Sequence, residues 1–422
     1  MTGINYFPIT QFTHVHAAQE NLNALGGGSQ DNGMSITTDG GVSWFYRQGG
    51  DGSTLSIDPN DNSRMWSIVG VYNGDLTFRR HRSTDGGVTW TDVNAGIDPA
   101  DQWYTELHND QVNPVWLYSN AGSKVYQSQD YGDAWTTLGT FTKEVRSLRV
   151  GRYSNPSAAI WAVLDTNIDG NRVHVFDGSA WNVVESGLPS GVKVRAVIPH
   201  PTEPNTAYAL INGIGNPGQK VYRTFDRGTT WTNVSGNLPD VPLGGIVGHP
   251  TNPNLLYLGT EMGCFQGEFD GATWSWSHWD AGLPTAAISS DMSWTDLLDE
   301  SGDFWILLGT YGRSMYRREV QDLEPAGIAD DVEASRLELA QNAPNPVRSG
   351  ETTRIRFSTP KSGTVELGVY DVSGREVTSL LDGFVDAGAH EYDLSSAGLA
   401  PGVYFYRLRA GSWVESRKLT IE

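Results

Sequence analysis

The sequence predicts an all-β protein, a seven-bladed β-propeller followed by an immunoglobulin-like β-sandwich. Three observations predict it. A short phrase built on Asp, Gly and Trp recurs six times at a near-constant interval. Short apolar strands and turns rich in Pro and Asn fill each interval. Beyond residue 336 the phrase stops, and a separate unit of about 86 residues carries its own alternating strands.

The phrase reads TTDGGVSW, STDGGVTW, SQDYGDAW and TFDRGTTW in its four full copies, with aspartates Asp39, Asp85, Asp130 and Asp226. Two worn copies, VFDGSAW and EFDGATW, carry Asp177 and Asp270. From 39 to 85, 130, 177, 226 and 270 the steps are 46, 45, 47, 49 and 44 residues. A period in the forties with several short strands per unit is the pattern of propeller blades. The chemistry of the phrase is local. Asp accepts from backbone amides a few residues on and fixes a tight turn. Gly supplies positive φ. The Ser or Thr two positions earlier adds a hydrogen bond. Trp packs between neighbouring blades. The worn copies lack the Ser/Thr and are one residue short before Trp, so a different turn is expected there.

Each element follows from this frame. The phrases delimit blades over about residues 11–48, 52–95, 103–139, 143–186, 192–235 and 242–279. A seventh unit, 286–318, has only three strands and no phrase. INYFPI, Ile4 to Ile9, belongs to no blade. It is expected to supply the missing outer strand and close the ring, which removes exposed sheet edges. The alternative is further blades upstream. Residues 1–318 are therefore expected to form the propeller, and the acidic, Ala-rich stretch 319–336 a linker. In the C-terminal unit, 337–422, apolar residues alternate at Val365, Leu367 and Val369, then at Val403, Phe405 and, less purely, Arg407. Ser373-Gly374, Asp382-Gly383 and Pro401-Gly402 mark turns.

The Ser/Thr-x-Asp-x-Gly-x-x-Trp phrase resembles the Asp-box, or BNR repeat, of sialidases, sortilin-type receptors and xyloglucanase-type glycoside hydrolases. In those families the box lies at the blade periphery, away from the ligand. The resemblance therefore implies a structural role for all six aspartates. The C-terminal unit is similar to the type IX secretion sorting domain. Asn342, Pro344, Asn345 and Pro346 match its Asn-x-Pro-Asn-Pro opening. Tyr370, Asp371, Gly374 and Arg375 match its Tyr-Asp-x-x-Gly-Arg turn, and Gly402, Val403, Tyr404 and Leu408 match its closing strand. Val347 stands where that family often has an aromatic. The resemblance implies export through the periplasm to the outer-membrane surface or beyond, with the type IX secretion machinery as partner. It also implies an N-terminal signal peptide. MTGINYFPITQF has no basic start and no apolar core. The expectation is that the native N-terminus is missing here, or that the start site is wrong.

Composition narrows the function classes. Formal charge is −20, from 29 basic and 49 acidic residues. Nucleic-acid binding needs a basic surface and is not expected. No run of 18 apolar residues exists to span a membrane. The single cysteine, Cys264, excludes a disulfide-stapled scaffold. No cofactor motif is read. His14 and His16 share a strand face, but no further ligand follows at metal spacing, and no Asp-Gly turn has the dense loop of a calcium hand.

Ligand sites in propellers lie in the central funnel. The candidate funnel residues are Gln30, Asp31, Trp103, Tyr104 with Glu106, Ser290, Tyr311 and Arg313. Asp51 and Asp291 are the candidate catalytic carboxylates, Asp51 because flanking glycines admit a ligand or a neighbouring backbone. A hydrolase needs two such carboxylates across a sugar cleft. A sialidase needs an arginine triad. The early Arg-Ile-Pro-type motif of that family is absent, and Arg79, Arg80, Arg82, Arg146, Arg195 and Arg313 read as scattered, mostly near blade edges. The expected function is a surface-displayed binding or adhesion propeller for a polysaccharide or surface protein. The alternative is a xyloglucanase-like hydrolase.

Overall fold

The computed structural model describes all residues except 1, 4–10, 20, 22, 73–75, 99–104, 152–158, 284–286, 296–303, 321–337, 360–362, 373–374, 386–387 and 411–412. The chain forms two units, Met1–Asp322 and Leu323–Glu422. The first is a propeller of seven four-stranded antiparallel sheets. Blades one to six are consecutive in the chain, and each runs from its innermost strand outward. Their inner strands are Phe12–Ala17, Asp51–Asp58, Leu107–Asn109, Val145–Val150, Val194–Pro199 and Leu243–Gly248. Blade seven is Ser289–Thr295, Phe304–Thr310 and Met315–Val320, completed by Thr2–Gly3 from the chain start. Thr2 pairs with Arg317 and Gly3 with Tyr316, so the N-terminus closes the ring. The expected closing segment, Ile4 to Ile9, lies outside the described residues. The last strand of the ring continues through Val320. Glu319 and Val320 therefore belong to blade seven, where the sequence suggested a linker.

The Asp-boxes behave as their chemistry requires. In blade two the Ser83 hydroxyl donates to Asp85 at 2.8 Å and accepts from the Gly87 amide at 2.9 Å. Asp85 accepts from the Thr89 amide at 2.9 Å. Thr37, Ser128 and Thr224 repeat the arrangement with Asp39, Asp130 and Asp226. Hydrogen bonds from Ser43 hold Asp39 down to about 2, and those from Thr89 hold Asp85 there too. The worn copies do form different turns. Asp177 accepts from the Ser179 and Ala180 amides, and Asp270 from those of Ala272 and Thr273, one residue earlier than in the full copies.

The box Trp joins blades through a polar contact as well as packing. The Trp135 indole N–H donates to the Val93 carbonyl of the preceding blade at 2.8 Å, Trp181 to Leu138 at 3.1 Å and Trp231 to Val184 at 2.9 Å. Backbone amides reinforce two of these joints, Trp135 to Ala95 at 2.9 Å and Trp231 to Ser186 at 2.8 Å. Gly96 and Gly187 sit under those Trp carbonyls with φ of +97° and +96°. A Cβ there would lie 2.3 and 2.2 Å from oxygen, so only glycine fits. In blade six the joint is made by Trp276, which donates to Val234 at 3.0 Å. The box residue Trp274 instead stacks on Phe269 and Trp276. Trp90 is only partly buried and bonds Gly87 within its own turn.

The C-terminal unit is a sandwich of a three-stranded and a four-stranded sheet. The first comprises Glu338–Leu339, Thr352–Thr359 and Gly388–Ser395. The second orders Glu376–Val385, Gly363–Asp371, Gly402–Ala410 and Trp413–Ile421. Val365, Leu367 and Val369 are buried between the sheets with Tyr406 and Leu408. The Val403, Phe405, Arg407 set is the outer face, because side chains alternate and Tyr406 and Leu408 hold the inner one. Asn342 is buried and donates to Thr353 Oγ1 at 2.8 Å and to the Pro344 carbonyl at 3.1 Å. Asn345 bridges to the last strand through Lys418 and Thr420, both at 2.9 Å, and Pro346 follows it in the same segment. Arg375 closes its turn on Asp371 at 3.1 Å, while Gly374 lies outside the described residues.

Trp135→Ala is expected to cost roughly 3–5 kcal/mol by the large-to-small rule, and Trp90→Ala clearly less. Urea unfolding midpoints of the two variants check this. Equal losses would place the stability in the turn and not in the joint.

Candidate functional site

The funnel is built by irregularity in the inner strands. Register breaks fall between Phe12 and His14, Gly52 and Leu55, Val145 and Ser147, Val194 and Ala196, Leu243 and Ile246, and Ser289 and Asp291. A bulge leaves a residue unpaired and re-aims its side chain. Of the eight residues these breaks release, Thr13, Arg146, Arg195, Gly244 and Ser290 line one central cavity of about 510 Å³, while Ser53, Thr54 and Gly245 do not. Several also tie neighbouring inner strands together. Thr13 Oγ1 donates to the Gly52 carbonyl at 2.9 Å, Ser53 Oγ to Thr105 at 2.7 Å, and Arg195 Nε to Gly244 at 3.1 Å.

A second cavity of about 150 Å³ is lined by His16, His108, His200 and Trp294. His14, Arg149, Ile198 and Asp291 line both cavities, so they form the layer between them. Glu106 is the hub of that layer. Its carboxylate is ion-paired with Arg149, accepts from the Leu148 amide at 2.9 Å, and lies 3.4 Å from His14 Nε2 and 3.3 Å from His108 Nε2. Burial opposes ionisation of Glu106, but the Arg149 charge and the two histidines outweigh it and hold its carboxyl well below the usual range. Asp291 accepts from the Val15 amide at 3.2 Å and lies 3.8 Å from Arg149 Nη2. Its place in the axial layer joins blades one, four and seven.

The sequence candidates separate on this geometry. Gln30, Ser290, Asp291 and Tyr311 line the larger cavity with Glu106, and Tyr311 Oη meets Gln30 Oε1 at 3.3 Å. Asp51 lines neither cavity; its carboxylate accepts from the Asp31 amide at 2.9 Å. Its glycine neighbours serve the backbone. A Cβ on Gly52 would lie 2.0 Å from the Gly33 carbonyl of blade one. Asp31 is an exposed turn residue with φ of 60°, and Arg313 is exposed in the turn after Tyr311. Trp103 and Tyr104 lie outside the described residues.

The arginines depart most from the sequence reading. Arg146 and Arg195 lie in the central cavity with Arg149, not at blade edges. Arg80 is buried between blades two and three, with Nε 3.0 Å from Ser119 Oγ. A signal was present. VRSLRV and VRAVIP place Arg146 and Arg195 at the same step of two inner strands. Among the described residues no group of three or more His, Cys, Asp or Glu could hold a metal ion. No helix there is long and apolar enough to cross a membrane.

Residues 343–422 match the secretion system C-terminal sorting domain. The C-terminal unit is a type IX sorting domain. The sorting domain indicates export to the cell surface or outer membrane and implies interaction with the type IX machinery. The chain is also similar, over part of its length, to curated xyloglucanases. Xyloglucanase Xgh74A of Acetivibrio thermocellus is 25% identical over 256 residues, which is 56% of this chain and 26% of that protein. A xyloglucanase of a Paenibacillus species is 27% identical over 192 residues, 43% of this chain and 16% of the other. The chain thus spans about a quarter of the length of Xgh74A, 26%. Among solved structures, an ancestral GH74 enzyme has TM-score 0.58 at 16% identity over 98% of this chain and 60% of its own. YCF48 bound to D1 peptide has TM-score 0.52 at 14% identity over 76% of this chain and 100% of its own. These likenesses show the fold.

The histidines beneath the funnel set a pH dependence. Burial, then the Arg223 charge, pushes His200 from 6.5 down to about 3. Burial, then His108, pushes His16 down to about 4. The unfolded chain protonates both at about 6.5, while the folded chain resists. The stability is therefore complete above pH 6.5 and is lost as pH falls. At about 1.4 kcal/mol per pH unit, His200 contributes a loss of up to roughly 3 kcal/mol between pH 6.5 and 4. Urea midpoints should fall steadily over that window, and His200→Asn should flatten the slope. A flat profile in the parent protein would contradict this account.

Proposed function

We propose that the propeller is a binding module displayed at the cell surface by its sorting domain, with its ligand in the central cavity. The observation that carries this reading is the state of the axial carboxylates. Glycoside hydrolysis needs one carboxyl kept protonated near neutral pH beside a second that attacks or activates water. Glu106 is held ionised by Arg149, and Asp291 is engaged by the Val15 amide and Arg149. Both are occupied as partners in a joint between blades. Asp51 lines neither cavity. An ion-paired, amide-capped carboxylate is a poor general acid and a rigid wall for a binding site.

A second reading has one observation in its favour, the 25% identity over 256 residues to a protein named xyloglucanase. On that reading the propeller is a hydrolase, and Asp291 is the described carboxylate to test. One experiment separates the two. The full chain is titrated with xyloglucan, mixed-linkage β-glucan and sialosides, and the same mixtures are assayed for new reducing ends. The binding reading expects saturable association with no sustained release. Release that Asp291→Asn abolishes, in a variant with unchanged melting temperature, would establish the hydrolase.

A further inference from the structure

We propose that the central cavity takes an acidic saccharide, with the guanidinium of Arg195 receiving a uronate carboxylate. This rests on the reading of the propeller as a binding module and names its ligand class.

Three guanidiniums line the cavity. Arg149 is paired with Glu106 and faces Asp291. Arg146 lies 3.2 Å from Asp165. Arg195 differs. Its Nε donates to the Gly244 carbonyl at 3.1 Å and its Nη2 to the Ser290 carbonyl at 3.2 Å. Both acceptors are neutral, and among the described residues Arg195 makes no ion pair. Those two bonds fix the plane of the fork across blades five, six and seven, use two of its five N–H donors and leave the Nη1–Nη2 edge for a carboxylate. Burial and the Arg146 and Arg149 charges work against the Arg195 cation, and the Asp291 and Glu106 carboxylates offset them only in part. An incoming carboxylate would supply the opposing charge that Arg195 lacks as a direct partner. A planar guanidinium held this way is pre-organised for bidentate contact with a carboxylate.

The carboxylates of the lining are Glu106 and Asp291, both against Arg149, and Glu261, and the neutral polar lining fits a sugar. Thr13, Gln30, Ser147 and Ser290 bring hydroxyl and amide groups to the wall. Tyr311, 46% exposed, presents its ring at the same cavity, a platform for the C–H face of a pyranose. A volume of about 510 Å³ is in the range of small-ligand sites and suits one or two sugar rings. The net charge of −20 opposes adsorption of acidic polymers elsewhere on the molecule, so such binding reports on the cavity.

The test is calorimetric titration of the full chain with digalacturonate and with its neutral counterpart, galactobiose. Digalacturonate is expected to bind at least about tenfold more tightly, with the preference shrinking as salt rises. Arg195→Gln should remove that preference. Arg195→Lys, which keeps the charge and loses the fork, should keep part of it. Tyr311→Ala, at an exposed position, should weaken both sugars alike. Melting temperatures of all variants serve as the check on folding, and the lysine variant decides the matter if the glutamine variant melts early. Equal affinity for the two sugars, a preference that survives Arg195→Gln, or no binding of digalacturonate would each overturn the proposal. So would selective binding of a short peptide acid over digalacturonate. Release of reducing ends from either sugar would instead overturn the binding-module reading, and the acidic-over-neutral preference would still judge Arg195 on its own.

Discussion

The Trp-to-carbonyl joint between consecutive blades is the contact on which the rest of the propeller depends. A four-stranded sheet of this size cannot bury both faces alone, so each blade is stable only against its neighbours. Apolar packing supplies most of that stability and tolerates sliding. A buried indole N–H does not, because leaving it unpaired carries a desolvation cost of about 1–3 kcal/mol. Val93, Val184 and Val234 receive Trp135, Trp231 and Trp276, so each fixes the distance and angle of the next blade. The Asp-box turn aims the indole, and a glycine under the Trp carbonyl lets the chains approach closely enough.

Fixing the outer angles fixes the centre. Seven inner strands converge on one axis, where side chains crowd and regular pairing gives way to bulges. The residues released there build the funnel. The axial layer of Glu106, Arg149, His14 and Asp291 draws on four blades, and its charges compensate one another in a largely buried region. Removing one partner would leave another charge buried and unpaired. The same compensation that makes this layer a sound floor holds the Glu106 carboxyl ionised. Arg195 stands above it with carbonyl partners only, and that asymmetry gives the cavity its chemical direction.

Much of the fold was legible because its determinants are local. Asp, Gly and Trp at fixed offsets specify a turn whatever lies elsewhere, so six blades and the differing turns at Asp177 and Asp270 could be read from spacing, while the seventh blade carries no phrase to mark it. The worn copy in blade six misled only in its Trp. Trp276, two residues on and on the same face of the strand, makes the joint there, whereas Trp181 of the equally shortened copy in blade four keeps it. The sorting domain was legible through its motif and not through locality alone: Asn342 bonds Pro344 and Thr353 close by, while Asn345 reaches Lys418 and Thr420, 73 and 75 residues on. The site was less legible because its contacts are distant in sequence. Nothing in VRSLRV announces that Arg149 will meet Glu106, 43 residues away, or Asp291 beyond it. Asp51 attracted notice through its glycines, which a neighbouring hairpin explains. Bulges, which aim Arg146 and Arg195 inward, arise from ring closure and leave only the faint mark of a shared position in two blades.

Hydrogen exchange at the indole N–H groups tests the central claim most directly. If the joints hold the ring as a unit, the indoles of Trp135, Trp231 and Trp276 exchange together, through opening of the whole propeller, with one free energy matching global unfolding. The Trp90 indole, bonded within its own turn, exchanges much faster. Independent exchange of Trp135, Trp231 and Trp276 at free energies well below global unfolding would contradict the account, because the blades would then be packed side by side without being locked.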